Sequence, residues 1–208
     1  MIIGICGFIG SGKDTIADYL VNNHGFRRES FANTLKDAVS AVFGWDRTML
    51  EGRTKEARSW REEVDTWWAE RLDMPHLTPR WVLQYWGTEV CRKSFHDSIW
   101  IASLEHKLLS SNDDIVISDC RFPNEIQAIK NAGGKVVRVV RGPEPEWYED
   151  AVAVNKGPTH ISWALSSDRL KRYGIHASET SWVGTDFHTV FDNNKTLDDL
   201  FKQVESIL

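Results

Sequence analysis

A short stretch near the start of the chain has the composition and spacing of a phosphate-binding loop. The stretch GFIGSGKDT, residues 7–15, begins with the pattern G-x-x-x-x-G-K. Glycines let such a loop turn tightly and point backbone N–H groups at phosphate oxygens, while the lysine adds a positive charge that reaches the β- and γ-phosphates. A glycine-rich turn with an incidental lysine is the alternative, and the strand and helix predicted on either side disfavour it. The residues that we expect to contact nucleotide phosphates here are Gly7, Gly10, Ser11, Gly12 and Lys13.

The residue after the lysine departs from the usual pattern. A Ser or Thr that binds magnesium normally stands there, but this chain has Asp14, and Thr15 supplies a hydroxyl one position later. A carboxylate repels a triphosphate unless a metal lies between them or the side chain points elsewhere. Helical spacing places Asp14 and Asp18 on one polar stripe, away from the apolar face. Two interpretations stay open: Asp14 belongs to a metal site, or it is an acid that favours the helix N-terminus.

Charged residues also follow two predicted strands, at the edge where open α/β sheets bind ligands. The strand segment IVISD ends on Asp119, which suits magnesium, and Arg121 lies two residues further on. Arg141 ends the next strand segment, KVVRVVR. Phosphoryl transfer depends on charge stabilisation, for which the arginine fork is suited. We therefore expect catalysis by Lys13, Asp119, Arg121 and Arg141, although Arg121 could instead form a surface ion pair with Glu125.

A fourth group of polar residues follows helical spacing in the segment TPRWVLQYWGTEVCRKSF, where Thr78 and Pro79 predict a helix start. If one helix continues through Gly87, its polar residues form a stripe suited to a phosphate and a base edge. A solvated helix face is the alternative. Arg61, in the preceding charged segment, is a further candidate for binding the acceptor. The stripe consists of Arg80, Gln84, Thr88 and Arg92.

Composition excludes several classes of protein. The net charge of -5 argues against a nucleic-acid surface, and no apolar run approaches the length of a membrane span. Three widely spaced cysteines predict free thiols in a reducing compartment, and the start MIIGICGF lacks the basic flank of a signal peptide. We expect a cytoplasmic protein without nucleic-acid or membrane partners.

Apolar strand segments alternate with helical segments along the chain, which predicts an α/β fold with a parallel sheet and helices on both faces. We expect one domain over residues 1–208, with insertions at about 45–78 and 142–185. The apolar face of the closing helix could be core or a homodimer contact. The five strands are predicted at residues 2–6, 26–31, 113–119, 135–142 and 187–193.

Together these motifs resemble those of bacteriophage deoxynucleoside monophosphate kinases. The resemblance covers nearly the whole chain and rests on GSGKDTIADYL, SFANTLKDAV, TPRWVLQYWGTE, IVISDCRFPNEIQAIKNAGGKVVRVVR, HASE and FDNNKTLDDL. It implies a P-loop NTPase fold of the nucleoside monophosphate kinase type, with an acceptor-binding insertion and a lid. It also implies transfer of the γ-phosphate of ATP to a deoxynucleoside monophosphate (dNMP), with Mg²⁺ as the metal and, if the protein is viral, the host-cell cytoplasm as its location.

The resemblance also implies roles for individual residues. Lys13 and Thr15 match the ATP-phosphate loop, Arg80 and Gln84 the acceptor helix, and Arg141 the start of the lid. Residues 193–195, including Asn193 and Lys195, match the segment that holds adenine. Asp119 and Arg121 match the strand-end pair, and His176, Ser178 and Glu179 match an H-x-S-E motif, with His160 as a competing histidine.

Two alternatives to this function remain open from the sequence. One is a P-loop kinase with another acceptor, such as dephospho-coenzyme A, and the other is a non-catalytic ATP-binding module. The tryptophan-rich first insertion departs most from the family, so the base that is accepted does not follow from the resemblance.

Overall fold

The computed structural model describes residues 1–175 and 177–208, and the chain divides into two compact units. The first unit consists of residues 1–30 and 107–208, and the second of residues 31–106. The arrangement as one domain with two insertions stays a prediction.

A parallel sheet forms the centre of the first unit. Within the described residues it has five strands in the order β2-β3-β1-β4-β5, which confirms the predicted fold class. Gly4 of the first strand pairs with both Ile117 and Val136, so the strands end at one shared edge. The strands are β1 (Ile2–Cys6), β2 (Arg27–Glu29), β3 (Ile115–Ile117), β4 (Lys135–Val140) and β5 (Thr189–Asp192).

Helices connect the strands of the sheet, as the alternating sequence pattern predicts. The Thr78 side chain accepts a hydrogen bond from the backbone N–H of Trp81 and so caps its helix as predicted. The helices are α1 (Lys13–His24), α2 (Asn33–Phe43), α3 (Arg47–Glu51), α4 (Lys55–Trp60), α5 (Thr66–Leu72), α6 (Pro79–Tyr85), α7 (Ile99–Leu109), α8 (Pro123–Asn131), α9 (Tyr148–Asn155), α10 (Trp163–Tyr173), α11 (Ala177–Thr180) and α12 (Leu197–Glu205). A π-helix, Trp86–Phe95, follows α6 directly.

The core of the first unit lies between the sheet and the helices α1 and α12. Ile3 and Ile5 of β1 are fully buried there, as is Leu20 of α1. Leu200 and Val204 of α12 are also fully buried, so the apolar face of the closing helix belongs to the core. In the part of the chain that the structure describes, no helix combines the length and the apolar character needed to cross a bilayer.

The second unit has its own core, in which tryptophans pack. Trp45 and Trp100 are buried, and the ring of Phe43 stacks on Trp45 with 4.4 Å between centroids. The indole N–H of Trp45 donates to Asp65, and that of Trp68 donates to the carbonyl of Phe43. These rings are therefore structural.

Candidate active site

The glycine loop connects β1 to α1 at the carboxyl edge of the sheet. Its geometry requires glycine at two positions. Gly7 and Gly12 have φ angles of 149° and 106°, a region that side chains rarely adopt. A Cβ on Gly7 would lie 2.6 Å from the carbonyl oxygen of Val139, and one on Gly12 would lie 2.4 Å from the Asn193 side-chain nitrogen. The backbone of the loop is therefore closely packed against the ends of β4 and β5.

Asn193, directly after β5, is hydrogen-bonded to the phosphate loop. Its side-chain Nδ2 donates to the carbonyl oxygen of Ser11 at 2.8 Å, and its backbone N–H donates to Val140 at 2.8 Å. The asparagine is buried, while Lys195 is exposed. The resemblance placed Asn193 and Lys195 near adenine, and the geometry adds a contact between Asn193 and the phosphate loop that the sequence did not indicate.

Lys13 begins α1 and lies over the loop. Its Nζ donates to the carbonyl oxygens of Gly7 and Phe8, each at 2.8 Å. Burial lowers the pKa of Lys13 and the charge of Arg121 lowers it further, whereas Asp14 and Glu179 act in the opposite direction. The lysine is thus a desolvated cation whose hydrogen bonds can be transferred to phosphate oxygens.

The Ser11 side chain indicates that the loop fits a phosphate group. Its hydroxyl oxygen is buried and has no hydrogen-bond partner among the described residues. Buried polar atoms in folded proteins nearly always have a partner, so an unpaired hydroxyl here points to a group that the protein alone does not supply. An anion with several acceptor oxygens can accept hydrogen bonds from both this hydroxyl and the Lys13 ammonium group.

Arg121 joins two segments that the sequence placed in separate motifs. Its Nη1 lies 2.8 Å from a carboxylate oxygen of Glu179 and 3.4 Å from the Ser178 hydroxyl. Glu125, the partner considered as an alternative, accepts the backbone N–H groups of Arg121 and Phe122, at 2.9 Å and 3.2 Å, while the Arg121 side chain pairs with Glu179. The D-x-R and H-x-S-E segments therefore meet, although His176 itself lies outside the described residues.

The two other strand-end candidates also lie at the carboxyl edge of the sheet. β3 ends at Ile117, two residues before Asp119, so the strand is shorter than predicted. Asp119 is half-buried, and it follows β3 where the loop follows the adjacent parallel strand β1. Arg141 follows β4 and is exposed. The backbone N–H of the next residue, Gly142, donates to Asn194 at 2.7 Å.

Arg28 of β2 contacts the loop region and was missed by the sequence analysis. Its guanidinium forms an ion pair with Asp14 and lies 2.8 Å from Asp18 and 2.7 Å from the Ser118 hydroxyl. The predicted stripe of Asp14 and Asp18 is confirmed, because both carboxylates bind the same side chain. The neighbouring arginines in FRRES were the only signal in the sequence.

An aromatic cluster packs the loop against the segment after β4. The ring of Phe8 lies 4.7 Å from that of Trp182 and 5.3 Å from that of Trp147. Arg138 of β4 is buried beneath them, with its guanidinium 4.8 Å from the Tyr148 ring centre and its Nη2 2.5 Å from Glu144. The base of the predicted lid insertion is therefore in contact with the phosphate loop.

In the second unit, Arg61 and Arg80 are neighbours. The backbone N–H of Arg80 donates to the carbonyl of Arg61 at 2.9 Å, and the Arg80 side chain pairs with Glu62 at 2.9 Å. Burial lowers the pKa of Arg61, and the charge of Arg80 lowers it further. Two guanidinium groups that repel each other are a favourable arrangement for a doubly charged phosphate.

The predicted stripe of polar residues spans a change of helix type. Arg80 and Gln84 lie on α6, and Thr88 and Arg92 lie on the π-helix that follows it directly, so the helix continues through Gly87 but changes type. In an α-helix four residues complete more than one turn, so each fourth side chain points about 40° further round the axis. In a π-helix the turn is wider, so four residues complete less than one turn and the side chains shift in the opposite direction. The π-helix thus returns Arg92 towards the direction of Arg80. The carbonyl of Gly87 accepts from the indole of Trp100 at 3.0 Å.

The five-stranded parallel sheet and the glycine loop at its carboxyl edge define a P-loop α/β fold. No protein-family model matches the sequence. The chain is 29% identical to a mimivirus protein (Acanthamoeba polyphaga mimivirus) named deoxynucleotide monophosphate kinase, over 99% of this chain and 95% of that protein. It is 26% identical to the deoxynucleoside-5'-monophosphate kinase of Escherichia phage T5, over 85% of this chain and 86% of that enzyme. The resemblance predicted from the sequence is therefore confirmed.

Two solved structures are also similar to the chain. Shikimate kinase from Aquifex aeolicus aligns with a TM-score of 0.43 and 12% identity, over 99% of this chain and 95% of that one. Dephospho-CoA kinase from Campylobacter jejuni aligns with a TM-score of 0.40 and 16% identity, over 99% and 96%. At these values the two structures do not bear on the substrate.

Proposed function

We propose that the protein transfers the γ-phosphate of ATP to a dNMP and releases ADP and a deoxynucleoside diphosphate. The observation that carries this proposal is the position of Lys13, a desolvated cation on a strand–loop–helix phosphate loop, whose pKa is also lowered by Arg121. The viral relatives named as kinases of deoxynucleotide monophosphates support the choice of acceptor. Their source also supports the cytoplasm of an infected cell as the location.

In this proposal the loop residues bind the ATP phosphates. Lys13 exchanges its two carbonyl partners for phosphate oxygens, and the Ser11 hydroxyl gains a partner. Arg121 separates from Glu179 and stabilises charge on the transferring phosphoryl group, a role that we also assign to Arg141. The acceptor oxygen of a monophosphate is already ionised, so the reaction needs no general base.

We assign the magnesium site to the Thr15 hydroxyl and the Asp119 carboxylate, which provide the oxygen ligands that Mg²⁺ prefers. Magnesium in such a site screens the negative charge of the phosphates. Among the described residues no group of three or more His, Cys, Asp and Glu side chains could hold a metal. Two oxygen ligands from the protein suit Mg²⁺, which usually keeps several waters and also binds substrate phosphates. Asp14 is the third ligand predicted from the sequence, but its carboxylate is paired with Arg28, so we do not assign it to the magnesium site.

We assign the acceptor to the arginines of the second unit and to the polar face of the helix that follows them. Arg61 and Arg80 would bind the monophosphate, because they are neighbours and the guanidinium fork suits phosphate geometry. The remaining acceptor candidates keep the roles predicted from the sequence: Gln84, Thr88, Arg92, Glu179 and His176.

A coupled assay of ADP release tests this proposal. The wild-type protein is assayed with each common dNMP, with the ribonucleotides and with dephospho-coenzyme A. We expect turnover with at least one dNMP and none in a Lys13→Ala variant. Turnover with dephospho-coenzyme A alone, or ATP binding without turnover on any acceptor, would contradict the proposal and favour one of the two alternatives.

A further inference from the structure

We propose that Arg28 is a positioning residue that holds the Asp14 carboxylate away from the phosphate-binding loop. This role rests on the proposed nucleotide site. It explains how a carboxylate is tolerated at the position where P-loops normally carry Ser or Thr.

The contacts of Arg28 are specific and close. One guanidinium nitrogen bonds Asp14 and the Ser118 hydroxyl, and the other lies 2.8 Å from Asp18. The Arg28 side chain is only 19% exposed, whereas that of Asp14 is 79% exposed. The arginine is therefore the fixed partner, and the aspartate is the one whose direction is set by the ion pair.

The position of Asp14 on α1 shows why its direction matters. Asp14 lies in the first turn of α1, and the residue that precedes this helix, Gly12, provides no side-chain cap. The N–H groups and the dipole at a helix N-terminus attract a carboxylate as well as a phosphate. Without Arg28, the Asp14 carboxylate would compete with the nucleotide phosphates for the same positive end of the helix.

The same guanidinium also connects α1 to the segment that carries Asp119. Arg28 pairs with Val116 across the parallel strands β2 and β3. Its contact with Ser118, the residue before Asp119, adds a second attachment on the same segment. Arg28 thus fixes the first turn of α1 relative to the predicted magnesium ligand Asp119.

The neighbouring arginine offers a matched control. Arg27 is on the same strand, pairs with Glu29 and with Asp113 at 3.0 Å, and is 43% exposed. Within the described residues its ion-pair partners, Glu29 and Asp113, belong neither to the loop nor to α1. An arginine that acts only through surface ion pairs should behave like Arg27.

The test measures the affinity for ADP with magnesium by calorimetry, which does not depend on turnover. We expect Arg28→Ala to weaken binding by about tenfold or more, because an unneutralised carboxylate is left beside the phosphates. Adding Asp14→Asn should return affinity to within about threefold of wild type, since it removes that charge. Adding Asp18→Asn to Arg28→Ala should not restore the affinity for ADP. The Arg27→Ala variant should bind ADP as tightly as wild type.

Asp14→Asn alone keeps the test decisive if the Arg28 variants fold poorly. We expect it to bind ADP at least as tightly as wild type. A loss of binding would overturn the proposal and show that Asp14 is needed at the metal site. Equal recovery by Asp14→Asn and Asp18→Asn would also overturn it. Intact ADP binding without turnover on any dNMP would contradict the proposed function and leave the role of Arg28 standing.

Discussion

The side-chain amide of Asn193 donates a hydrogen bond to the carbonyl oxygen of Ser11, 2.8 Å away and 182 residues earlier in the chain. This contact joins the end of β5 to the phosphate loop after β1. The loop is therefore held by the far side of the sheet as well as by its own turn, and several predictions about stability and binding depend on that attachment.

Asn193→Ala should weaken both folding and nucleotide binding. The variant loses a buried hydrogen bond and leaves the Ser11 carbonyl unpaired, which costs about 1–3 kcal/mol in the free energy of unfolding. Chemical denaturation and calorimetry with ADP measure the two effects. Asn194→Ala is the control, because Asn194 is exposed and bonds Gly142 instead of the loop. Equal effects of the two variants would contradict the attachment.

Gly12→Ala should disrupt the loop more than Gly10→Ala. Both glycines have positive φ angles, of 106° and 78°, so each alanine carries backbone strain of about 1–2 kcal/mol. Only at Gly12 would the new Cβ also meet a side chain, that of Asn193 at 2.4 Å, while nothing lies within 4 Å at Gly10. We expect ADP affinity to fall further in Gly12→Ala, with unfolding midpoints as the parallel measurement. Equal ADP affinities and unfolding midpoints in the two variants would show that the Asn193 side chain moves aside without cost.

The depressed pKa of Lys13 predicts a pH dependence of stability. Between that pKa and the ordinary value of a lysine, the unfolded chain binds more protons than the folded one, so stability rises with pH. The free energy of unfolding of wild type minus that of Lys13→Met should therefore increase as the pH rises towards the ordinary lysine value. Urea titrations of both proteins across the alkaline range measure it. A constant difference would mean that burial does not disfavour the charge.

Arg121→Ala should reduce kcat with dNMP by about a hundredfold, because it removes a cation from the phosphoryl-transfer site. It should also raise the pKa of Lys13, since Arg121 lowers that pKa in the wild type. The pH dependence of the stability difference should therefore move to higher pH. Arg121→Lys keeps the charge and should recover part of the rate. Full activity in Arg121→Ala would exclude the assigned role.

Much of the site could be predicted because it follows from local sequence. The loop, the apolar strands and the caps depend on residues within a few positions of one another, and the parallel order of strands brings Asp119 and Arg141 to one edge. The contacts of Arg28 and Asn193 join distant segments, and no spacing encodes them. The π-helix also contacts distant residues that its own sequence does not reveal. A Cβ on Gly87 would lie 2.9 Å from the Leu35 side chain, and the Gly87 carbonyl accepts a hydrogen bond from the Trp100 indole.

Transfer of label from γ-labelled ATP to a dNMP is the most direct test of the central claim. The products are separated after incubation with magnesium and each dNMP in turn, with wild type and with Lys13→Ala. The account predicts labelled deoxynucleoside diphosphate with wild type alone. Label that stays in ATP, or that appears only as inorganic phosphate with every dNMP, would contradict it.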